Sequence, residues 1–266
     1  MRRPKAPRRA PAHAGRRAFS LDSSRLVCAL AGALLLAGSL GAAAGGAPAP
    51  VPPVPPAPAA EPLHGIDVSH YSGGVDWERV REAGFDFAYV KATEGVDSPD
   101  PAFADHWRRL GELGIPRGAY HFYVTEDDPE EQARFFLSTA ALRSGDLPPA
   151  VDIELIGHGT QPGLAERFRT FLEVVARETG ARPIVYTSPN FWNAQLTDAF
   201  GDHPLWVAEY GVSEPQVPKG WERWTLWQWQ DSGAIPGVEK DADVSRLHPE
   251  LTLDDLRMPP RTAEGN

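Results

Sequence analysis

Ala150-Val151-Asp152-Ile153-Glu154-Leu155 reads as a buried strand that ends in two carboxylates. Asp152 and Glu154 stand at i and i+2, so on a strand they share a face, roughly 6–7 Å apart along the backbone. Two acids held that close do not ionise independently, and one of them is expected to keep a proton near neutral pH. An acid of raised pKa beside a carboxylate is what glycosidic-bond cleavage requires. Alone the pair is weak evidence, because a D-x-E at a strand end is commonly a solvated terminus or a salt-bridged edge. Its meaning depends on the sheet this strand joins.

Outward from that stretch, strands and helices alternate. Short apolar strands are expected at 63–68, 87–92, 118–123, 149–154, 183–187, 205–208, 224–229 and 242–244. Helices are expected between the earlier ones. Asp76 caps the first, which stops at Gly84; a second covers 101–113; Asp128-Pro129 opens a third; a fourth runs over 164–179; a shorter one follows Pro189. Strand–helix alternation at this spacing implies parallel βαβ units, and about eight strands in about 200 residues suggest a closed barrel. The helices thin out after the fifth strand. In such barrels the chemistry sits at the C-terminal ends of the strands. Asp67, Lys91, His121, Asp152, Glu154 and Tyr186 all fall at or near such ends.

Charge and composition exclude several functions. The 266-residue chain carries a formal net charge of −10. Eight of its 26 Lys/Arg but only one of its 36 Asp/Glu lie in residues 1–44, which leaves the remainder with 18 basic and 35 acidic side chains, a net of −17. Such a body does not bind nucleic acid through a basic field. Residues 1–25 are basic, Leu26–Ala44 is an apolar run of about 19 residues, and Ala42-Ala43-Ala44 offers a small-residue cleavage site. That order reads as an export signal over 1–44, and Arg16-Arg17-Ala18-Phe19 resembles a twin-arginine signal. Left uncleaved, the run would serve as a membrane anchor. The single cysteine, Cys28, lies inside it, so a cleaved chain has no disulfide. Residues 45–62 form a Pro/Ala linker, 63–258 the catalytic barrel domain and 259–266 a disordered tail. No His/Cys cluster has metal-ligand spacing, so neither metal nor cofactor is expected. No protein partner is evident, and a monomer is expected.

An ordered set of strings resembles the family 25 glycoside hydrolases, lysozymes. They are His64-Gly65-Ile66-Asp67-Val68-Ser69-His70-Tyr71, Val75-Asp76-Trp77, Tyr89-Val90-Lys91-Ala92-Thr93-Glu94-Gly95, Gly118-Ala119-Tyr120-His121-Phe122-Tyr123, Val151-Asp152-Ile153-Glu154, Ile184-Val185-Tyr186-Thr187, Leu205-Trp206-Val207-Ala208-Glu209-Tyr210 and Leu226-Trp227-Gln228-Trp229. Each is unspecific alone; together, in family order over 63–247, they are highly specific. The resemblance implies a TIM-like barrel of eight strands with an incomplete set of outer helices. It implies hydrolysis of the β-1,4 bond between N-acetylmuramic acid and N-acetylglucosamine in peptidoglycan.

By that similarity the site acids are Asp67, Asp152, Glu154 and Asp243. Glu154 is the general acid, Asp152 orients substrate or stabilises positive charge, and Asp67 and Asp243 flank the cleft. The family's last motif usually reads Asp-x-Asn, whereas this chain has Asp243-Val244-Ser245. Lys91, Tyr120, Tyr186, Trp206, Tyr210 and Gln228 are the expected substrate contacts. On a strand Trp227 and Trp229 share one face and Gln228 takes the other, so they do not all line one cleft. Trp77, Phe103 and Trp107 read as core, and His121 as a satisfied core polar residue. Two other functions fit less well. Chitinase-like endo-N-acetylglucosaminidases usually carry a longer D-x-x-D-x-D-x-E string. A non-catalytic wall-binding module has no need of intact Asp67, Asp152 and Glu154.

Overall fold

The computed structural model describes residues 62–157, 162–196 and 200–260, all within one compact unit. The expected export signal, all but the last residue of the linker and most of the expected tail lie outside the described residues.

Eight strands close into a barrel: β1 (His64–Val68), β2 (Phe87–Glu94), β4 (Arg117–Phe122), β5 (Ala150–Asp152), β6 (Ile184–Thr187), β7 (Leu205–Ala208), β8 (Leu226–Ala234) and β9 (Asp241–Leu247). The order round the barrel is β1-β9-β8-β7-β6-β5-β4-β2, and β1 pairs with β2 to shut it. A two-residue strand β3 (Ser98–Pro99) hangs on the end of β2. Outside stand α1 (Trp77–Glu82), α2 (Phe103–Leu113), α3 (Pro129–Ala140), α4 (Leu164–Thr179) and α5 (Pro189–Gln195), with a short α6 (Leu253–Leu256) after β9 and a 3-10 turn at His70–Ser72. The helix starts follow local chemistry. Asp76 accepts from the Arg79 N–H, Asp128 from those of Glu130 and Glu131, and Ser188 from that of Phe191. Pro129 and Pro189 occupy first-turn positions, where no N–H is needed.

The barrel is not parallel throughout, which corrects the βαβ expectation. β9 runs antiparallel to both β8 and β1. The six residues between β8 and β9 are too few for a crossover, so a hairpin is the only connection available. The last strands are also longer than their expected 224–229 and 242–244. Conversely, β5 stops at Asp152, and Glu154 lies beyond it. The chain stays extended there because the Ile153 N–H donates to Tyr186 O at 3.0 Å and Thr187 Oγ1 donates to Ile153 O at 2.9 Å.

The period-two alternation sorts side chains into two cores. Outward residues such as Val90, Ala119, Val151 and Val185 pack against Phe136, Phe168, Phe171 and Trp192 of the helices. Inward residues fill the lower barrel: Phe87, Tyr89, Ala150, Ile184, Trp206, Leu226 and Leu247. Two glycines make room for the large rings. A Cβ on Gly118 would stand 2.1 Å from the Tyr89 ring, and one on Gly65 2.3 Å from that of Phe87. The Tyr89 ring is also held at its far end, since its hydroxyl donates to Pro148 O at 3.2 Å. Gly118→Ala is therefore expected to destabilise the fold by about 1–3 kcal/mol, the usual range for overpacking a dense core. Thermal denaturation of the variant beside the parent checks this.

Candidate active site

The inward alternation that fills the lower barrel with apolar groups sets polar groups one layer higher. On β2, Phe87 and Tyr89 are followed by Lys91; on β5, Ala150 by Asp152; on β6, Ile184 by Tyr186; on β8, Leu226 by Gln228. β9 runs the other way, so Asp243, near its beginning, reaches the same mouth. It stands directly opposite Asp67 in the β1–β9 register.

These groups line one hollow of about 220 Å³. Asp67, Asp152, Glu154, Asp243, Lys91, Tyr120, Tyr186, Trp206 and Gln228 all border it. Tyr210, the remaining candidate, lies two residues past β7, is 41% exposed, and reaches the site through its hydroxyl alone. Ser69, Tyr71 and Phe122 also border the hollow and were not among the expected contacts. Phe122 was readable, because it follows Tyr120 by two on the same strand face. Ser69 and Tyr71 sit beyond the end of β1, where no period applies. A larger hollow of about 480 Å³ lies near the C-terminal ends of α3 and α4, beside Met258. It gathers Arg134, Arg143 and Arg177 but no pair of facing carboxylates.

Gln228 ties the mouth together. Its Nε2 donates to Asp67 Oδ1 and Oδ2 at 3.1 and 3.0 Å and to Asp243 Oδ2 at 3.4 Å. Its Oε1 accepts from Tyr186 Oη at 2.9 Å and from the Tyr210 hydroxyl. Burial pushes both phenols well up, so they stay donors. Gln228 thus serves as a positioning group, with its amide already occupied. Ser245, where the family usually has Asn, is buried and accepts from Trp206 Nε1 at 2.9 Å, which fixes that indole in the wall.

The carboxylates are perturbed in a way that fits proton transfer. Burial, then the charge of Glu154, raises the pKa of Asp152 well above the carboxylate range; the Lys91 ammonium offsets part of this. Burial, then Asp243, raises that of Asp67, against the Gln228 hydrogen bond. Lys91 is itself held by Glu94, Nζ to Oε2 2.7 Å, with its ammonium 4.8 Å from the centre of the Phe122 ring. Asp152 Oδ1 is buried and has no hydrogen-bond partner among the described residues. His121 takes no part. It faces outward and stacks on Phe171. Its Nε2 donates to Gln132 Oε1, its Nδ1 accepts from Thr93 Oγ1, and burial lowers its pKa to about 3.

The family model for glycosyl hydrolases family 25 matches residues 66–238. Among curated proteins, uncharacterized protein YegX of Escherichia coli K12 is 36% identical over 192 residues, 70% of each chain. Lysozyme M1 of Streptomyces globisporus is 36% identical over 199 residues, 70% of this chain and 68% of that one. Among solved structures, the bacterial lysozyme from Streptomyces coelicolor superposes with a TM-score of 0.69 at 32% identity, covering 74% of this chain and 96% of that one. The family GH25 lysozyme from Aspergillus fumigatus gives 0.65 at 29%, covering 71% and 94%. The chain belongs to glycosyl hydrolase family 25. It is a glycoside hydrolase on that family's TIM-like barrel.

Because Asp152 binds its proton more tightly folded than unfolded, its contribution to stability is complete below the unfolded pKa, near 3.8, and is lost as pH rises through the raised folded value. Asp152→Asn removes that loss. The variant is expected to melt above the parent at pH 7, with the difference shrinking toward zero below about pH 4. Melting curves across that range are the measurement.

Proposed function

We propose that this protein is a muramidase that cleaves the β-1,4 bond between N-acetylmuramic acid and N-acetylglucosamine in peptidoglycan. The observation that carries the reading is the pairing of Asp152 with Glu154 at the barrel mouth, where burial and the charge of Glu154 together hold a proton on Asp152. Named lysozymes among the relatives support the substrate class.

In this reading Glu154 protonates the glycosidic oxygen and the C1–O bond breaks. The sugar's own 2-acetamido oxygen attacks C1 from the other face, and the acetamido N–H donates to Asp152 Oδ1, the buried acceptor without a protein donor. Asp67 and Asp243 face the positive charge that develops at the ring. Water then attacks C1 and gives its proton to the Glu154 carboxylate. The C1–acetamido bond breaks, and the configuration at C1 is retained. The short separation of Asp152 and Glu154 along the chain favours this over inversion, which needs roughly 6.5–9.5 Å between carboxyls to seat a water. The basic, then apolar N-terminal sequence supports secretion. Protein recovered outside the cell should begin beyond the apolar run, and membrane-bound material that still starts at Met1 would replace secretion by anchoring.

Digestion of purified peptidoglycan, with mass spectrometry of the new reducing ends, should show muramic acid at the ends. N-acetylglucosamine ends would point to the glucosaminidase reading, and no new ends to a binding module. NMR of the first-formed product should show the β-anomer.

Glu154→Gln keeps shape but has no carboxyl proton, so turnover is expected to fall by about 10²–10⁴-fold with little change in fragment binding. In Asp152→Asn the residual activity should have its alkaline limb at lower pH, because the like charge that retains the pair's last proton is gone. A Glu154→Gln enzyme of near-parental turnover would pass the acid's role to Asp67 or Asp243.

A further inference from the structure

The cleft continues past the carboxylates. A second hollow of about 380 Å³ runs from Asp67, Tyr120 and Asp243 outward, between the turn after β1 and the start of β9. Tyr71 borders both hollows, and at 64% exposure it is the most exposed large hydrophobic side chain described. Its position is nevertheless fixed. Its N–H donates to Ser69 Oγ at 3.2 Å, and its ring lies against that of His70, centroids 3.9 Å apart. His70 in turn is clamped by the buried Asp100, which takes its backbone N–H at 3.1 Å and its Nδ1 at 2.6 Å. Asp100 Oδ1 also accepts the Ala102 N–H at 2.9 Å, so the clamp itself is anchored.

The facing wall is pinned to the same turn. The Lys240 N–H donates to Ser72 O at 3.1 Å, the Glu239 N–H to Gly74 O at 2.9 Å, and the Gly74 N–H to Glu239 Oε2 at 2.8 Å. Gly73, at φ +74°, lies so close that a Cβ there would meet Glu239 Oε2 at 2.8 Å. The arm therefore has a set width, with an exposed ring on one side. Lys240 borders it and makes no salt bridge among the described residues; the other charged groups along it are acids.

We propose that this arm is a second sugar subsite, in which the Tyr71 ring stacks on one pyranose and Lys240 takes a carboxylate carried by that sugar. The proposal rests on the peptidoglycan reading and adds the ligand feature recognised away from the scissile bond. Of the charged groups that border the arm, Asp67 and Asp243 at the inner end and Asp241 beside Lys240 are acids, so Lys240 is the bordering cation toward which an acidic substituent is drawn. In peptidoglycan such a carboxylate comes from the lactyl ether of muramic acid or from the stem peptide attached to it.

Calorimetric titration of the full chain carrying Glu154→Gln separates these sources. The ligands are a neutral chitin oligosaccharide, a peptide-free wall glycan with lactyl carboxylates, and a peptide-bearing wall fragment. Adding Tyr71→Ala is expected to weaken all three by roughly three- to tenfold, the worth of one aromatic contact. Adding Lys240→Gln is expected to weaken only the carboxylate-bearing ligands, by about two- to fivefold as for an exposed ion pair, and the effect should fade at high salt. Loss on the peptide-free glycan alone assigns the lactyl carboxylate, which the stem's amide bond consumes in the peptide-bearing fragment. Loss on the peptide-bearing fragment alone assigns the stem, and loss on both shows that Lys240 takes either carboxylate. Equal loss on the neutral oligosaccharide, or unchanged binding in either variant, overturns the proposal. The parent enzyme's release of reducing ends from whole peptidoglycan is scored separately. Its failure there, with the binding pattern intact, would remove the muramidase reading and leave the subsite.

Discussion

Closing this barrel brings two carboxylates face to face. β9 must lie between β1 and β8, and in that register Asp67 stands opposite Asp243. Like charges directly across a strand pair repel. The amide of Gln228 lies against both, donating from one nitrogen to each, while its oxygen is held by Tyr186 and Tyr210. Burial and Asp243 together also favour the protonated form of Asp67. The seam is thus closed by a shared donor and a retained proton. The same two devices leave polarised oxygens pointing into the mouth. A buried network of this kind is stable only when every member is satisfied, and here acid, amide and phenols complete one another.

Much of this was legible because a strand's pleat is a simple code. Inward positions two before Lys91, Asp152, Tyr186 and Gln228 are Tyr89, Ala150, Ile184 and Leu226, all within the inner core. The same rule set Gln228 opposite Trp227 and Trp229, and Trp227 indeed packs outward with Trp224. Alternation is blind to strand direction, however. The sense of β9 depends on the length of its connection, and the expected strand limits left that connection twice its actual length. Glu154 and Tyr210 fall past strand ends, where individual hydrogen bonds take over from the pleat. Tyr71 was unreadable as a cleft residue for the same reason.

His121 shows why sequence neighbourhood is a poor guide to a site. It sits between Tyr120 and Phe122, both at the cleft, yet faces the helices. A break in register between Lys91 and Thr93 puts Thr93 beside it on the outer face, where its hydroxyl meets Nδ1. Gln132 of α3 completes the arrangement and also binds the Val124 N–H and O, so the loop after β4 is held from behind. The imidazole acts as a neutral strut.

The two acid pairs at the mouth are not equivalent. Asp152 and Glu154 lie on the side of the Lys91 ammonium, which favours a charged carboxylate there. Asp67 and Asp243 instead meet neutral donors, the Gln228 amide on both and the Ser232 N–H on Asp243. The pairs also feel each other, since Glu154 raises Asp67 and Asp67 raises Asp152. A proton that leaves one pair therefore makes the other hold its own more firmly. In the proposed reaction, when Glu154 gives its proton to a leaving oxygen, the added negative charge appears on the side of the Lys91 ammonium, while Asp67 on the opposite wall keeps its proton beside Asp243. In the same proposed step a positive charge growing on the sugar ring meets carboxyl groups on both walls, with the newly ionised one on the side from which the proton came. That asymmetry follows from two residues, Lys91 on β2 and Gln228 on β8, which border the same hollow.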